Sequence, residues 1–254
     1  GVEQDYARAA EWYAKSAEQG YSRGQCNLGY MYESGKGVEQ DYARAAEWYA
    51  KSAEQGYSRG QNNLGCMYEH GKGVEQNYAK AVEWYEKAAE QGNSIGQNNL
   101  GCMYEFGKGV EQDDTRAAEW YAKSAEQGYS RGQCNLGYMY ENGKGVEQDD
   151  ARAAEWYEKA AKQGYSLGQN NLGCMYRDGK GVEQDYAKAV EWYEKSAEQG
   201  HSRGQCNMGY MYEIGKGVKQ DYAKAVEWYE KSALQGNSCG QCNLGYMYEH
   251  GKGV

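Results

Sequence analysis

Cysteine and histidine are the residue types in this chain best suited to metal binding, redox or nucleophilic chemistry. The 254 residues hold eight cysteines and three histidines. One close pair of thiols occurs, Cys239-Gly-Gln-Cys242. At a helix start such a CxxC would have a stabilised thiolate. A zinc ribbon needs a second pair, and a thioredoxin-like centre needs a βαβ context. The chain offers neither, and His250 is the nearest histidine. The two thiols therefore read as ordinary variants at surface positions. His70 and His250 occupy the same place in a repeat five units apart, and His201 stands elsewhere in the unit. No histidine dyad follows. The carboxylates, tyrosines and tryptophans recur with a fixed period, whereas a catalytic site normally breaks a repeat. The expectation is a protein without catalysis, cofactor or metal.

The element that positions all these residues is a stretch of 36, GVEQDYARAAEWYAKSAEQGYSRGQCNLGYMYESGK, from Gly1 to Lys36. It restarts at Gly37, Gly73, Gly109, Gly145, Gly181 and Gly217 without insertion or deletion, and Gly253 opens an eighth copy. A period between about 20 and 50 residues marks a solenoid, propeller or array. The reading is one repeat array over 1–254, with stability supplied by stacking of neighbours.

Within the unit, Gly1-Val2-Glu3-Gln4 reads as a loop and Asp5 as a helix N-cap, with Asp41, Asn77, Asp113, Asp149, Asp185 and Asp221 as its equivalents. Ala9, Ala10, Tyr13, Ser16 and Ala17 fall on one side of a helical wheel, with Trp12 at the edge. Gly20 reads as a left-handed C-terminal cap. A second helix is predicted from about Ser22 to Glu33, with Leu28, Met31 and Tyr32 as its apolar stripe and Gly29 allowing close approach of a neighbour. Gly35 ends it. The fold class is all-α, with two short antiparallel helices per unit.

At these residues the chain resembles the Sel-one-like repeat (SLR) family, a relative of the tetratricopeptide repeat. The matching residues read Leu28, Gly29, Tyr32, Gly35, Gly37, Val38, Asp41, Ala45, Trp48, Tyr49, Lys51, Ala53 and Gly56. One departure is Gly24 and its copies, where the family usually has Ala. The resemblance implies a right-handed superhelical α-solenoid whose concave wall is lined by the Leu-Gly helices. It also implies a scaffold or adaptor role with no active site.

The units can be compared with one another. Trp12, Tyr13, Met31 and Tyr32 are the same residue in all seven copies. Variation gathers at four positions, those of Arg23, Cys26, Tyr30 and Ser34. Their spacing of 3, 4 and 4 confines them to an arc of roughly 80° on the second helix. The candidate partner-binding residues on that arc are Tyr30, Arg59, His70, Ile95, Phe106, Arg131, Tyr138, Leu167, Arg203, Tyr210, Ile214 and Tyr246. A groove reading a protein or peptide partner explains this variation; drift on a face that packing does not restrain explains it too.

Cys at the Cys26 position goes with Tyr four residues on, whereas Asn there goes with Cys. Volume compensation and duplication of two ancestral unit types both account for the pattern. Some SLR proteins carry a disulfide within a unit, which units one to six here cannot form. Equivalent residues on stacked helices should lie about 8–10 Å apart, beyond the roughly 7 Å limit between Cα atoms for a disulfide. Free thiols and a cytoplasmic or other reducing compartment are therefore expected.

A net charge of −9 argues against nucleic acid as a partner, and no apolar run approaches a membrane span. The chain begins without Met and ends in mid-unit, so it reads as an excerpt of a longer protein or an engineered array. Its two ends carry complementary exposed faces, and end-to-end self-association into filaments is the structural alternative.

Overall fold

The computed structural model describes residues 4–254, so the Gly1–Glu3 part of the first loop lies outside the described residues. Among the described residues there are fourteen helices and no strand. They gather into two compact bodies, Gly1–Gln127 and Gly128–Val254. The N-terminal body holds α1 (Tyr6–Glu18), α2 (Ser22–Ser34), α3 (Tyr42–Glu54), α4 (Ser58–His70), α5 (Tyr78–Glu90), α6 (Ser94–Phe106) and α7 (Asp114–Glu126). The C-terminal body holds α8 (Ser130–Asn142), α9 (Asp150–Lys162), α10 (Ser166–Asp178), α11 (Tyr186–Glu198), α12 (Ser202–Ile214), α13 (Tyr222–Leu234) and α14 (Ser238–Glu249).

Each odd-numbered helix starts where the sequence places it. The side chain of Asp5, Asp41, Asn77, Asp113, Asp149, Asp185 or Asp221 accepts a bond from a first-turn amide. That satisfies one of the free donors at a helix start. Gly20 follows α1 at φ +85°, and Gly35 follows α2 at φ +66°, both conformations that a side chain would strain.

Packing within each body follows one rule. A first helix lies more extensively against the second helix of the preceding unit than against its own partner, as α3 on α2 and α11 on α10. The core is accordingly built at these junctions. Ala45, Ala46, Tyr49 and Ala53 of α3 bury with Cys26 and with Leu64 and Met67 of α4. In the C-terminal body, Ala189, Val190, Tyr193 and Ala197 bury with Met208 and Met211. Trp48 stays half-buried at the edge of the stripe, with Lys51 Nζ 4.1 Å from its ring centre.

The departure at Gly24 has a packing reason. A Cβ on its copy Gly60 would lie 2.5 Å from Ser52 Oγ, so glycine lets the two helices of a unit approach. The second helices start at Ser22 and its copies in every unit.

Candidate interaction face

The buried side of each second helix is fixed by a tyrosine from the next unit. A Cβ on Gly65 would lie 2.7 Å from the Tyr85 ring, so only glycine lets the ring pack this close to the helix. Tyr85 is fully buried, and its hydroxyl donates to the Glu69 carboxylate at 2.7 Å. The same bond joins Tyr49 to Glu33, Tyr121 to Glu105, Tyr157 to Glu141 and Tyr229 to Glu213, at 2.6–2.8 Å. Burial pushes these phenols well above the ordinary tyrosine pKa, with the neighbouring carboxylate adding to the effect. They are neutral donors at any physiological pH.

The opposite side carries the positions that vary between units. Arg59, His70, Arg131 and Arg203 are exposed, as are Tyr30, Tyr138, Tyr210 and Tyr246. Two apolar side chains stand in solvent in the N-terminal body, Ile95 at 42% exposure and Phe106 at 62%. Leu167 and Ile214 are half-buried and lean on their local cores. Two of the histidines are held locally: His70 Nδ1 lies 2.9 Å from Cys66 O, and the His250 ring sits 4.2 Å from that of Tyr246.

One of the four variable positions belongs to the core instead. Cys26, Asn62, Asn98, Cys134, Asn170 and Cys206 are buried, and only Cys242, on the last helix, is exposed. This position lies at the edge of the arc that faces the following second helix. There Asn63 Nδ2 reaches Cys26 Sγ at 3.7 Å, Asn99 reaches Asn62 Oδ1 at 3.0 Å, and Asn207 reaches Asn170 Oδ1 at 2.8 Å. Where Asn62 takes this place, Cys66 sits under the Tyr85 hydroxyl at 3.2 Å; where Cys26 does, Tyr30 four residues on turns outward. The alternation of Cys/Tyr with Asn/Cys therefore has a packing rationale. Burial raises the thiols' pKa, to about 11 for Cys26 and Cys66 and about 12 for Cys134.

The expectation of free thiols throughout is overturned at one place. Cys206 and Cys239 form a disulfide with 6.5 Å between their Cα atoms. They are not equivalent residues. Cys206 stands at the buried position of one unit and Cys239 at the Arg23 position of the next, 33 residues on. This diagonal is shorter than the roughly 8–10 Å expected between equivalents on packed helices, the spacing on which the expectation of free thiols rested. Cys26, Cys66, Cys102, Cys134, Cys174 and Cys242 take part in no disulfide, so Cys239 pairs across units and not with Cys242 of its own CxxC. The cysteine argument for a reducing compartment falls with this pair.

The disulfide forms part of the wall of an open pocket of about 690 Å³ in the C-terminal body, which Tyr210 and Ile214 also line. Of the candidate residues, these two are the ones this pocket brings together. Arg177 and Lys216, which the comparison of units did not single out, also line it, as does Asp178 at the variable Ser34 position. Arg177 donates from Nε and Nη2 to both oxygens of Asp178, at 2.7 and 2.9 Å. That pairing raises the guanidinium pKa further and holds the Asp178 carboxyl below its usual range. Lys216 Nζ donates to Tyr186 Oη at 3.0 Å, a bond that raises its pKa. The signal for Arg177 was in the sequence: its position is Glu in every other unit. Among the described residues, no cluster of three or more His, Cys, Asp and Glu is placed to hold a metal ion. No helix among the described residues is long and apolar enough to cross a membrane.

The Sel1 repeat model matches residues 1–21, 22–57, 58–93, 94–129, 130–165, 166–201, 202–237 and 240–254. A search of curated proteins gave no significant match. Among solved structures, the chain is similar to a protective antigen present in uropathogenic Escherichia coli strains that displays an SLR fold. The identity is 46% and the TM-score 0.82, over 98% of this chain and 53% of that one. The chain thus spans about half the length of that relative. It is also similar to a Sel1 repeat protein from Oxalobacter formigenes, 31% identical with a TM-score of 0.79, over 91% of this chain and 97% of that one. Yeast Tom70, at 12% identity and TM-score 0.53, over 96% of this chain and 59% of that one, shares the fold alone.

Proposed function

Because the chain belongs to the Sel1 repeat family, whose members generally mediate protein–protein interactions and are generally not enzymes, we propose that it is a scaffold binding a partner polypeptide on the exposed side of its second helices. One observation carries this reading. Across the second helices, three of the four positions that differ between units are exposed or half-buried, the Cys26 position being the exception, whereas the residues shared by all units are mostly buried on all but the last of them. In the N-terminal body the surface is Tyr30, Arg59, His70, Ile95 and Phe106. In the C-terminal body it is Arg131, Tyr138, Leu167, Arg203, Tyr210, Ile214 and Tyr246. Exposed aromatic and arginine side chains on a rigid frame are the usual anchors of an interface, and isolated Phe106 and Ile95 have no packing role that explains their exposure.

The test is to measure the affinity of peptides selected on the immobilised chain. Phe106→Ala or Arg131→Glu should weaken a peptide seated on the corresponding body by about tenfold, the scale of losing one interface anchor. Glu54→Lys, on the outer side of α3, should leave it unchanged. Peptides lost with Glu54→Lys and indifferent to the other two would contradict the reading.

A second reading rests on a separate observation. The glycines of the inner second helices each lie under a tyrosine ring, but a Cβ on Gly245 of α14 would meet nothing within 4 Å. That open slot fits Tyr13 of another copy, which is only half-buried where its equivalents are fully buried. End-to-end self-association would fill it. Light scattering from micromolar to near-millimolar protein decides: a mass that climbs supports it, and a constant mass near 28.5 kDa contradicts it.

A further inference from the structure

The pocket of the C-terminal body is where this chain departs from its own repeat. The six other units carry Glu at the position of Arg177, and five of them use it as the acceptor for a buried tyrosine. At the Arg177 junction the buried Tyr193 donates instead to Cys174 Sγ, at 3.3 Å. Packing there is complete without an acid, so the arginine is not needed by the core. Its guanidinium, half-buried, is turned to the pocket and locked in plane by its two bonds to Asp178. Cys239 likewise takes a position that is Arg in four units, and its disulfide fixes α14 against α12 beside the same pocket.

The remaining lining has a definite chemistry. Lys216 lies over the Tyr186 ring at 4.6 Å and bonds its hydroxyl, so the ammonium is held at the rim and not free to swing away. Tyr210, exposed on α12, and Ile214, one turn further on, supply an apolar floor. Two cations and one anion line the pocket, and the exposed Arg203 adds a third cation on α12. Arg177 and Asp178 largely neutralise one another, so the net charge of the lining is the single positive charge of Lys216, in a chain whose net charge is −9. Complementarity then calls for a negative partner with apolar groups beside the charge. An apolar floor next to a rim cation suits a carboxylate side chain flanked by an aliphatic or aromatic one, better than a run of phosphates.

Resting on the scaffold reading above, we propose that this pocket recognises an acidic segment of a partner polypeptide. A carboxylate is placed against Lys216 and the outer edge of Arg177, and a neighbouring aliphatic or aromatic side chain lies on Tyr210 and Ile214. The affinity it confers is salt-dependent, because the rim charges are exposed.

The test uses the full chain without reductant, so that the disulfide stays closed. A phage-displayed library of random peptides is panned on it, and the enriched sequences are synthesised with a fluorescent label for anisotropy. The expected winners carry Asp or Glu beside Leu, Ile or Phe. Lys216→Glu should weaken them by about tenfold or more, the size of reversing a charge opposite a bound carboxylate. Arg177→Glu should do the same while restoring the residue used by the other units, so loss of binding cannot be loss of fold. Phe106→Ala should have no effect. Winners that ignore Lys216→Glu and Arg177→Glu but are lost with Phe106→Ala or Arg131→Glu would overturn this pocket and leave the scaffold reading standing. Winners rich in Lys and Arg would also overturn it. A panning that enriches nothing would overturn both.

Discussion

Tyr121 and Tyr193 occupy the same place in their units, one in each body, and both are fully buried. Tyr121 donates to the Glu105 carboxylate at 2.7 Å, with Cys102 Sγ at 3.2 Å. Tyr193 has the thiol alone, at 3.3 Å from Cys174 Sγ, because Arg177 stands in place of the acid and has turned to Asp178. The helices, the glycine slot and the burial are otherwise alike at the two junctions. The difference teaches that the ring packed against glycine holds neighbouring units together, and that the acceptor of its hydroxyl is replaceable. A residue released from that duty becomes available to the surface.

The comparison can be broken or sharpened in a sequence of decreasing effects. The largest separates the bodies themselves. The Cys206–Cys239 bond closes a loop of 33 residues in the C-terminal body. For a loop of that length, reduction or Cys239→Ser should lower local stability by about 3.7 kcal/mol. Hydrogen exchange with and without reductant should show the loss in α12 to α14 and none in α1 to α7; equal loss in both bodies would break the distinction. Next comes the slot. Gly101→Val drives a branched side chain into the Tyr121 ring, 2.7 Å from the first added carbon, and should cost about 2–3 kcal/mol in urea denaturation. Gly245→Ala meets nothing and should gain about 0.5–1 kcal/mol from helix propensity.

The hydroxyls follow. Tyr121→Phe removes a bond donated to the Glu105 carboxylate, 8% exposed, and should cost about 1–2 kcal/mol, whereas Tyr193→Phe loses a bond to sulfur and should cost less than about 1 kcal/mol. Both phenols are raised in pKa, mainly by burial, so the folded state holds their protons more tightly than the unfolded chain does. Their contribution is therefore complete below about pH 10, where free tyrosine titrates, and is lost as pH rises beyond it. Alkaline unfolding curves of either Phe variant should fall less steeply than wild type above that pH. The smallest effect is expected for Arg177→Glu. It restores an acceptor for Tyr193 but sets a carboxylate beside Asp178, and stability should change by less than about 1 kcal/mol.

Most of the frame was legible because each local signal recurs, with conservative changes, in all seven units: Asp or Asn caps, left-handed glycines, the Ala-Ala/Val-Tyr stripe and the Leu/Met-Gly pair. Three things were not. An arc of 80° is wide enough for its edge to touch the next helix, so Cys26 and its equivalents varied without being exposed. A disulfide between non-equivalent positions cannot be found by stacking equivalents, which hid Cys206 and Cys239. Arg177 escaped because a search for positions that vary in many units passes over one that varies once. In the first two cases the deciding quantity was a distance between units, and the repeat alone specifies only distances within them.

The central claim is that partner binding takes place on the second helices and is concentrated where the repeat is broken. Hydrogen exchange of the intact chain, with and without the tightest selected acidic peptide, tests it most directly. The account predicts added protection in Ser166–Asp178 and Ser202–Ile214, lost with Lys216→Glu. Protection confined to the first helices, such as Tyr186–Glu198 and Tyr222–Leu234, would contradict it.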